Sequence, residues 1–464
     1  MMNDNFFTVL AGGFPADRSK TFTFEGARVT TYAQLDDGAA RLTALLTAKG
    51  VRPGDRVAVK APKTVSGVIL YLAVLKLGGI YLPLNPSYTA SETDYIVKDA
   101  EPALVVTDPD ALTATAAELQ PAGAAVDRNA GDAAAIIYTS GTTGRPKGAV
   151  LSHGALASNA RSLHAAWGFQ QDDVLVHALP LFHIHGLFIS LSPTLLNGSS
   201  IVWLEKFDEA AVLEGLSQAT ILMGVPTFYT RLLKHPGLTA GLAARVRLFI
   251  SGSAPLRTAT FEEFESRTGK RILERYGMSE SGIISTNPLN GERVAGSVGY
   301  ALPGTEIRLD ETEEIQVRGP GLLSEYWGMP EKTREAFTED GFFKTGDLGM
   351  MDPDGRLWIN GRSKDLIITG GYNVYPKEVE QVLDEIGGIV ESAVFGLPHP
   401  DFGEAVAAAV VGSGSEASII AAALAKLAPY KAPKRVFFLE QLPRNTMGKV
   451  QKAELRKSLG NAFL

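Results

Sequence analysis

Short runs of β-branched residues alternate with longer helical stretches up to Thr268, and this alternation limits the fold more than any other feature of the sequence. Strands that alternate with helices build parallel sheets covered by helices on both faces. The predicted strands are Arg56–Lys60, Leu104–Thr107, Ala135–Tyr138, Ile201–Leu204, Ile221–Gly224 and Arg247–Ser251, and the predicted helices are Asp37–Lys49, Gly67–Leu77, His153–Ala166 and Thr258–Thr268.

The chain changes character after Pro320, where short strand-like pieces lie among turns, and a compact α/β unit begins at Pro376. A chain of 464 residues is too long for one ordinary domain. We therefore expect an α/β fold with a large N-terminal domain, residues 1–361, of parallel-rich sheets sandwiched by helices. A small, mobile α+β lid domain, residues 362–464, is expected to follow it.

Composition excludes several classes of function. Lys and Arg total 44 against 51 Asp and Glu, a net charge of −7, which disfavours a general nucleic-acid binder. Because the chain has no cysteine, disulfides, iron–sulfur clusters and thiol nucleophiles are excluded. The apolar stretch from Val68 to Leu82 contains Lys76 and is shorter than the roughly 20 residues that cross a bilayer. With no export signal at the start, we expect a cytoplasmic protein without a membrane span, a monomer or homodimer.

A glycine- and hydroxyl-rich segment, YTSGTTGRPKG, runs from Tyr138 to Gly148 directly after a predicted strand. Glycines let backbone N–H groups turn inward around an anion, hydroxyls donate to phosphate oxygens, and a lysine adds positive charge. The residue order of a Walker A loop is absent, and a flexible surface loop is the alternative interpretation. The predicted phosphate-binding residues are Thr139, Ser140, Gly141, Thr142, Thr143, Gly144 and Lys147.

Together with further segments, this string resembles the adenylate-forming superfamily of acyl- and aryl-CoA synthetases, luciferases and peptide-synthetase adenylation domains. The segments occur in the order of that family, and the resemblance extends over nearly the whole chain. They are Tyr276–Glu280 (YGMSE), Lys344–Asp347 (KTGD), Gly361–Ile368 (GRSKDLII), Gly370–Pro376 (GGYNVYP) and Pro443–Lys449 (PRNTMGK). The resemblance implies that a carboxylate reacts with ATP to give an acyl-adenylate and pyrophosphate, and that the thiol of coenzyme A then takes the acyl group.

The resemblance also implies roles for single residues. Glu280 is the expected Mg²⁺ ligand, a role that suits a carboxylate because Mg²⁺ prefers oxygen. Lys449 is the expected catalytic cation, Lys364 the hinge between the domains, and Gly370 with Gly371 the wall of a thiol tunnel. The remaining expected nucleotide contacts are Ser279 to phosphate and Ala254, Tyr276, Gly277, Asp347 and Arg362 to adenine and ribose.

The acyl pocket decides the substrate, and a dicarboxylate needs a buried cation for its far charge. A guanidinium suits that task because it binds a carboxylate with two hydrogen bonds. The segments MGVPTFYTRL and PLFHIHGL resemble malonyl-CoA synthetases, in which an arginine binds the distal carboxylate. By this resemblance we assign the distal carboxylate to Arg231, and the further expected pocket residues are His183, Ser251, Ser253 and Met278.

The expected function is an Mg²⁺- and ATP-dependent malonate–CoA ligase that also accepts methylmalonate. Its expected partners are the small molecules malonate, ATP and coenzyme A. Two alternatives stay open. One is a CoA ligase for another small, medium-chain or aromatic acid, in which Arg231 faces solvent. The other is a nucleotide-binding or carrier-loading module that makes no free acyl-CoA.

Overall fold

The structure is a computed structural model that describes residues 3–139, 146–445 and 448–463. Its helices are α1 (Phe6–Ala11), α2 (Tyr32–Ala48), α3 (Val65–Lys76), α4 (Ala90–Ala100), α5 (Pro109–Ala116), α6 (His153–Ala166), α7 (Leu191–Asn197), α8 (Glu209–Leu216), α9 (Pro226–Lys234), α10 (Ala240–Ala243), α11 (Thr258–Thr268), α12 (Pro330–Ala336), α13 (Pro376–Asp384), α14 (Glu416–Leu424) and α15 (Lys452–Leu459). A π-helical turn spans His185–Ser190 and a 3₁₀ turn spans Ser363–Asp365.

The strands complete the secondary structure of the described residues. They are β1 (Thr21–Glu25), β2 (Arg28–Thr31), β3 (Arg56–Val59), β4 (Ile80–Pro83), β5 (Leu104–Val106), β6 (Ala133–Thr139), β7 (Lys147–Ser152), β8 (Val174–His177), β9 (Ser200–Trp203), β10 (Ile221–Gly224), β11 (Leu248–Ser251), β12 (Leu273–Met278), β13 (Gly282–Thr286), β14 (Ser297–Ala301), β15 (Glu306–Leu309), β16 (Glu314–Arg318), β17 (Glu325–Tyr326), β18 (Phe343–Met351), β19 (Leu357–Arg362), β20 (Ile367–Thr369), β21 (Tyr372–Val374), β22 (Ile389–His399), β23 (Gly403–Gly412) and β24 (Arg435–Phe438).

Two sheets form the large domain. In the described part of the chain, the first has the strand order β15-β16-β18-β19-β14-β13-β12-β11-β10-β8-β9-β1-β2 and the second the order β17-β7-β6-β4-β3-β5. Pairing is parallel from β1 through β9, β8, β10 and β11 to β12, and antiparallel from β12 onward. The expected α/β class, with a large N-terminal and a smaller C-terminal domain, is confirmed, although antiparallel strands extend the parallel part of both sheets of the large domain.

The predicted strands and helices are present with shifts of a few residues at their ends. Helix α3 is buried along nearly its whole length, as expected for an apolar helix inside a domain rather than in a membrane. Among the described residues, no helix is both long and apolar enough to span a bilayer. Helix α5 ends at Ala116, and the next strand begins at Ala133.

The small domain has its own sheet and core. Strands β21, β20, β23 and β22 follow one another in that sheet, and β24 pairs with β23. The last strand of the large sheet, β19, ends at Arg362, and the first strand of the small sheet, β20, begins at Ile367. The chain therefore passes from the large sheet to the small sheet within the segment that contains Lys364. The domain boundary at 361/362 stays a prediction.

Prolines start the two helices that matter most for the site. Pro226 is the first residue of α9 and Pro376 is the first residue of α13. Proline suits this position because its missing N–H would have no partner in the first turn and its φ is already helical. Helix α9 therefore starts directly at the carboxyl end of β10, where parallel strands place their ligand sites.

Candidate active site

The segment predicted to bind phosphate begins at the end of β6 and finishes at the start of β7. Thr139 and Lys147 are opposite each other at the ends of these two strands. The Lys147 ammonium lies 5.0 Å from the centre of the Tyr326 ring. Thr139 and Lys147 thus border one small region, and the predicted contacts Ser140, Gly141, Thr142, Thr143 and Gly144 lie outside the described residues.

Glu280 lies at the inner end of this region. Its side chain is buried, and its Oε1 accepts hydrogen bonds from Thr139 Oγ1 and Tyr326 Oη, each at 3.3 Å. Burial raises the pKa of the Glu280 carboxyl, and these hydrogen bonds oppose the shift. A carboxylate held between Thr139 and Tyr326 fits the hard oxygen ligand that Mg²⁺ takes together with phosphate oxygens. Sequence reasoning missed Tyr326, because it lies in a different segment from Glu280.

Three residues predicted to bind the adenine or ribose, Tyr276, Asp347 and Arg362, form a connected group. Asp347 is buried on β18, opposite Arg362 on β19. Its Oδ2 accepts a hydrogen bond of 2.6 Å from Tyr276 Oη, and its Oδ1 lies 2.8 Å from Arg362 Nε. Each carboxylate oxygen can accept a second hydrogen bond, so Asp347 keeps capacity for a diol. The structure brings together Tyr276, Asp347 and Arg362, which the sequence had assigned to the nucleotide.

Lys449 reaches this group from the small domain. Its pKa is lowered to about 8, first by burial and then by the guanidinium of Arg362, while Asp347 acts in the opposite direction. The preceding residue, Gly448, touches the large domain: a Cβ built there would stand 3.2 Å from Cγ2 of Thr227 on α9. Lys449 of the small domain therefore lies near Asp347 of the large domain, the carboxylate predicted to bind ribose.

Arg231 does not reach the pocket. Its side chain is 53% exposed, and its Nε lies 2.6 Å from Glu209 Oε1. The guanidinium lies over the ring of Phe207, 5.0 Å from its centre. The buried face of α9 is formed by Phe228, Tyr229 and their apolar neighbours, which turns Arg231 toward solvent. The distal-carboxylate role predicted for Arg231 therefore needs correction.

A buried cation does occur nearby, at Arg275 in β12. The residue is 4% exposed, and its Nε and Nη2 have no hydrogen-bond partner among the described residues. Burial lowers the pKa of Arg275 to about 9. The guanidinium lies against the backbone of Gly252, between Ser251 and Ser253. Leaving guanidinium N–H groups buried and unpaired is costly, so the arrangement is typical of a site that awaits an anion.

His185 and Ser251 are buried, and Ser253 and His183 are half-buried. His185 Nδ1 lies 3.1 Å from Ser253 Oγ, while His185 Nε2 and the Ser251 hydroxyl have no partner in the part of the chain that the structure describes. Burial lowers the pKa of His185 far below its usual value and that of His183 to about 4. Ser253 has a left-handed backbone, φ 71°, a strain that clusters at ligand sites. Ser251 and Ser253 thus flank the glycine that Arg275 lies against, with His185 beside Ser253, and the pocket roles of Ser251, Ser253 and His183 stay predictions.

The remaining predicted residues divide into two sets. Ala254 and Ser279 lie in the turns after β11 and β12, and Met278 is the half-buried last residue of β12. Gly277 permits close packing, because a Cβ there would stand 2.0 Å from the carbonyl oxygen of Gly282. Gly370 and Gly371, by contrast, form the exposed turn between β20 and β21, apart from the nucleotide group. Lys364 lies exposed in the 3₁₀ turn between the domains.

Comparison with known proteins gives the family. The model of the AMP-binding enzyme family matches residues 11–327, and that of the AMP-binding enzyme C-terminal domain matches residues 378–449. The chain belongs to the AMP-binding enzyme family. This enzyme is 36% identical to a malonate–CoA ligase of Arabidopsis thaliana, over 89% of its own length and 79% of the relative's. It is 34% identical to a feruloyl-CoA synthase of an Amycolatopsis species, over 97% and 99%.

Solved structures match over the whole chain. MatB from Rhodopseudomonas palustris, with ATP bound, superposes with a TM-score of 0.97 at 46% identity and full coverage of both chains. The apo structure of the same protein superposes with a TM-score of 0.84. Both comparisons are with the same protein, so the higher TM-score means that the conformation of this enzyme is closer to the ATP-bound form than to the apo form.

Proposed function

We propose that this enzyme is an AMP-forming malonate–CoA ligase. The observation that carries the proposal is the buried guanidinium of Arg275, which lies near Ser251, Ser253 and His185 and has no anionic partner within residues 3–139, 146–445 and 448–463. A small dicarboxylate offers a second charge that can pair with this cation. The names of the Arabidopsis ligase and of other malonate–CoA ligases among the relatives support the same substrate.

The chemistry of the first step follows from the charges. One carboxylate of malonate attacks the α-phosphorus of ATP, a new C–O–P linkage forms, and pyrophosphate leaves. Both reactants are anionic, so their approach needs positive charge and fixed orientation. Arg275 would hold the distal carboxylate, Lys449 would face the reacting oxygens, and Tyr276, Asp347 and Arg362 would hold the ribose.

Magnesium fits beside Glu280. The carboxylate is buried next to Thr139 and the lysine-bearing hairpin, and no set of three or more metal-ligating side chains surrounds it in the described parts of the chain. A lone carboxylate suits Mg²⁺, which takes its other ligands from phosphate and water. When bound with ATP, the ion would neutralise part of the phosphate charge.

The second step needs a different arrangement of the small domain. Gly370 and Gly371 lie exposed and apart from the nucleotide group, so a thiol tunnel lined by them forms only if the small domain turns about the segment at Lys364. Lys449 would then leave the nucleotide. We propose this turn on the family resemblance. Lys449→Ala should therefore cripple formation of malonyl-AMP while malonyl-AMP that is supplied still reacts with coenzyme A. The cytoplasm is the proposed compartment.

A second candidate is a ligase for an aromatic acid, which the feruloyl-CoA synthase among the relatives favours. Arg275 argues against this candidate, because an aromatic acid bound in the place of malonate would leave the guanidinium buried and unpaired.

A panel of acids with ATP, Mg²⁺ and coenzyme A tests the proposal. Malonate, methylmalonate, acetate, propanoate, benzoate and ferulate are compared by release of AMP and by mass of the thioester. We expect the highest kcat/KM for malonate, with methylmalonate accepted. Turnover of benzoate or ferulate without turnover of malonate would overturn the proposal, and formation of acyl-AMP without thioester would favour the carrier-loading alternative.

A further inference from the structure

One helix of the small domain, α13, is tied to the large domain at both ends. Tyr375, just before the helix, donates a hydrogen bond of 2.9 Å to Glu313 Oε2. Lys377 in its first turn donates one of 2.5 Å to the carbonyl of Ile359 on β19. At the other end, Asp384 Oδ2 lies 2.9 Å from Arg257 Nε. Helix α13 is therefore the part of the small domain whose placement fixes the orientation of the rest.

Lys377 is the deepest of these ties. Burial lowers its pKa, and the carboxylates of Glu274 and Glu380 oppose that shift. Glu274 belongs to the large domain, is only 5% exposed and accepts a hydrogen bond of 2.9 Å from the Gly296 N–H. Burial raises the pKa of Glu274 to about 7, and the charge of Lys377 acts against this. Each charged group is thus compensated in part by the other across the domain boundary.

Glu274 also connects this tie to the acyl pocket. It directly precedes Arg275 in β12, and successive side chains of a strand point to opposite faces of the sheet. One face of β12 therefore carries the buried guanidinium of Arg275. The other face carries the carboxylate of Glu274, whose charge acts on Lys377. The strand that would bind the substrate also receives the docking helix.

We infer that Lys377 is a positioning residue for the adenylation step: its hydrogen bond to Ile359 and its attraction to the charge of Glu274 hold α13, and with it Lys449, against the large domain. The inference rests on the proposed function. Lys377 and Lys449 belong to the same small domain, and Gly448, next to Lys449, packs closely against Thr227 of the large domain. A shift of about 1 Å at a reacting group can cost roughly 100-fold in rate. Lys377 touches no substrate, so it acts only through the placement of Lys449.

The two half-reactions separate this role from a structural one. Lys377→Met keeps the length of the side chain and removes its charge. We expect malonate-dependent ATP–pyrophosphate exchange to fall at least about 10-fold, while reaction of supplied malonyl-AMP with coenzyme A stays within about 2-fold. Lys377→Arg should restore part of the exchange, and Glu274→Gln should lower it in the same direction. The matched control is Lys426→Met, which removes an exposed lysine that pairs with Glu385 inside the small domain.

Unchanged exchange in Lys377→Met, or an equal loss of both half-reactions without rescue by arginine, would overturn the inference. If malonate proves not to be the substrate, exchange is measured with the acid that the wild type adenylates, so the two proposals fail separately. A second readout is independent of the substrate. Because the chain has no cysteine, dyes on Gln218→Cys and Ala417→Cys report the distance between the domains, and Lys377→Met should change that distance with an ATP analogue bound. An unchanged distance would count against the inference.

Discussion

The guanidinium of Arg275 lies so close to the backbone of Gly252 that a Cβ at residue 252 would stand 2.5 Å from its Cζ. No side chain fits there without moving the guanidinium. The glycine in the turn after β11 therefore makes room for a cation at the end of the acyl pocket. In the proposed function, the same cation would pair with the second carboxylate of malonate and would occupy space that the chain of a long or aromatic acid needs.

Arg275→Met should abolish the preference for malonate. Removing one partner of a buried ion pair costs about 3–5 kcal/mol, and we expect kcat/KM for malonate to fall at least about 100-fold. The free protein should be as stable or more stable, because the variant removes a buried cation that has no partner without substrate. Steady-state kinetics and thermal melting check both expectations. A large loss of melting temperature with malonate turnover intact would contradict them.

Arg231→Ala should leave malonate turnover within about 3-fold of the wild type. Arg231 is exposed and pairs with Glu209, and exposed ion pairs contribute about 1 kcal/mol or less to stability. Kinetics with varied malonate provide the measurement, and the melting temperature should change little. A steep rise in the malonate KM would show that Arg231 enters the pocket after all and would restore the original assignment.

The adenylation step should lose activity at alkaline pH. The pKa of Lys449 is lowered to about 8, so its ammonium is present below that value and is lost as the pH rises through it. We expect kcat/KM of ATP–pyrophosphate exchange to decline above about pH 8, since this parameter follows the free enzyme. In Lys449→Arg the charge persists at higher pH, and the decline should disappear even if the rate is lower. Retention of the same decline in that variant would assign it to another group.

Glu280→Gln should raise the Mg²⁺ requirement of adenylation. The amide keeps the shape of the side chain and an oxygen that can accept from Thr139 and Tyr326, but it removes the negative charge. Metal ions supply several kcal/mol of charge stabilisation, so we expect a fall of roughly 100-fold at limiting Mg²⁺ and partial recovery at high Mg²⁺. Exchange measured over a Mg²⁺ titration gives the answer. An unchanged titration curve would separate Glu280 from the metal.

The elements of the fold could be predicted because their signals are local. The period of the apolar residues identified α6 and α11 with their observed ends, and β10 likewise. The site needed contacts between distant segments, such as Tyr326 with Glu280, which no local pattern contains.

The error at Arg231 came from using half of a helical pattern. Arg231 shares a face with Thr227, but the large apolar residues of α9, Phe228, Tyr229, Leu232 and Leu233, determine which face is buried. Arg275 was overlooked because it directly precedes the YGMSE segment. Two adjacent charged residues inside a central strand, Glu274 and Arg275, were the available signal, because such positions are rarely charged without a partner or a ligand.

Arg362 ends the last strand of the large sheet and pairs with Asp347, while the small sheet starts at Ile367. The connection between the two lobes is thus only a few residues from the place where a sugar would sit. In the proposed turn of the small domain, movement of the smaller lobe would also move the strand end that carries Arg362. Release of AMP and the return of the lobe would then be coupled at this one segment.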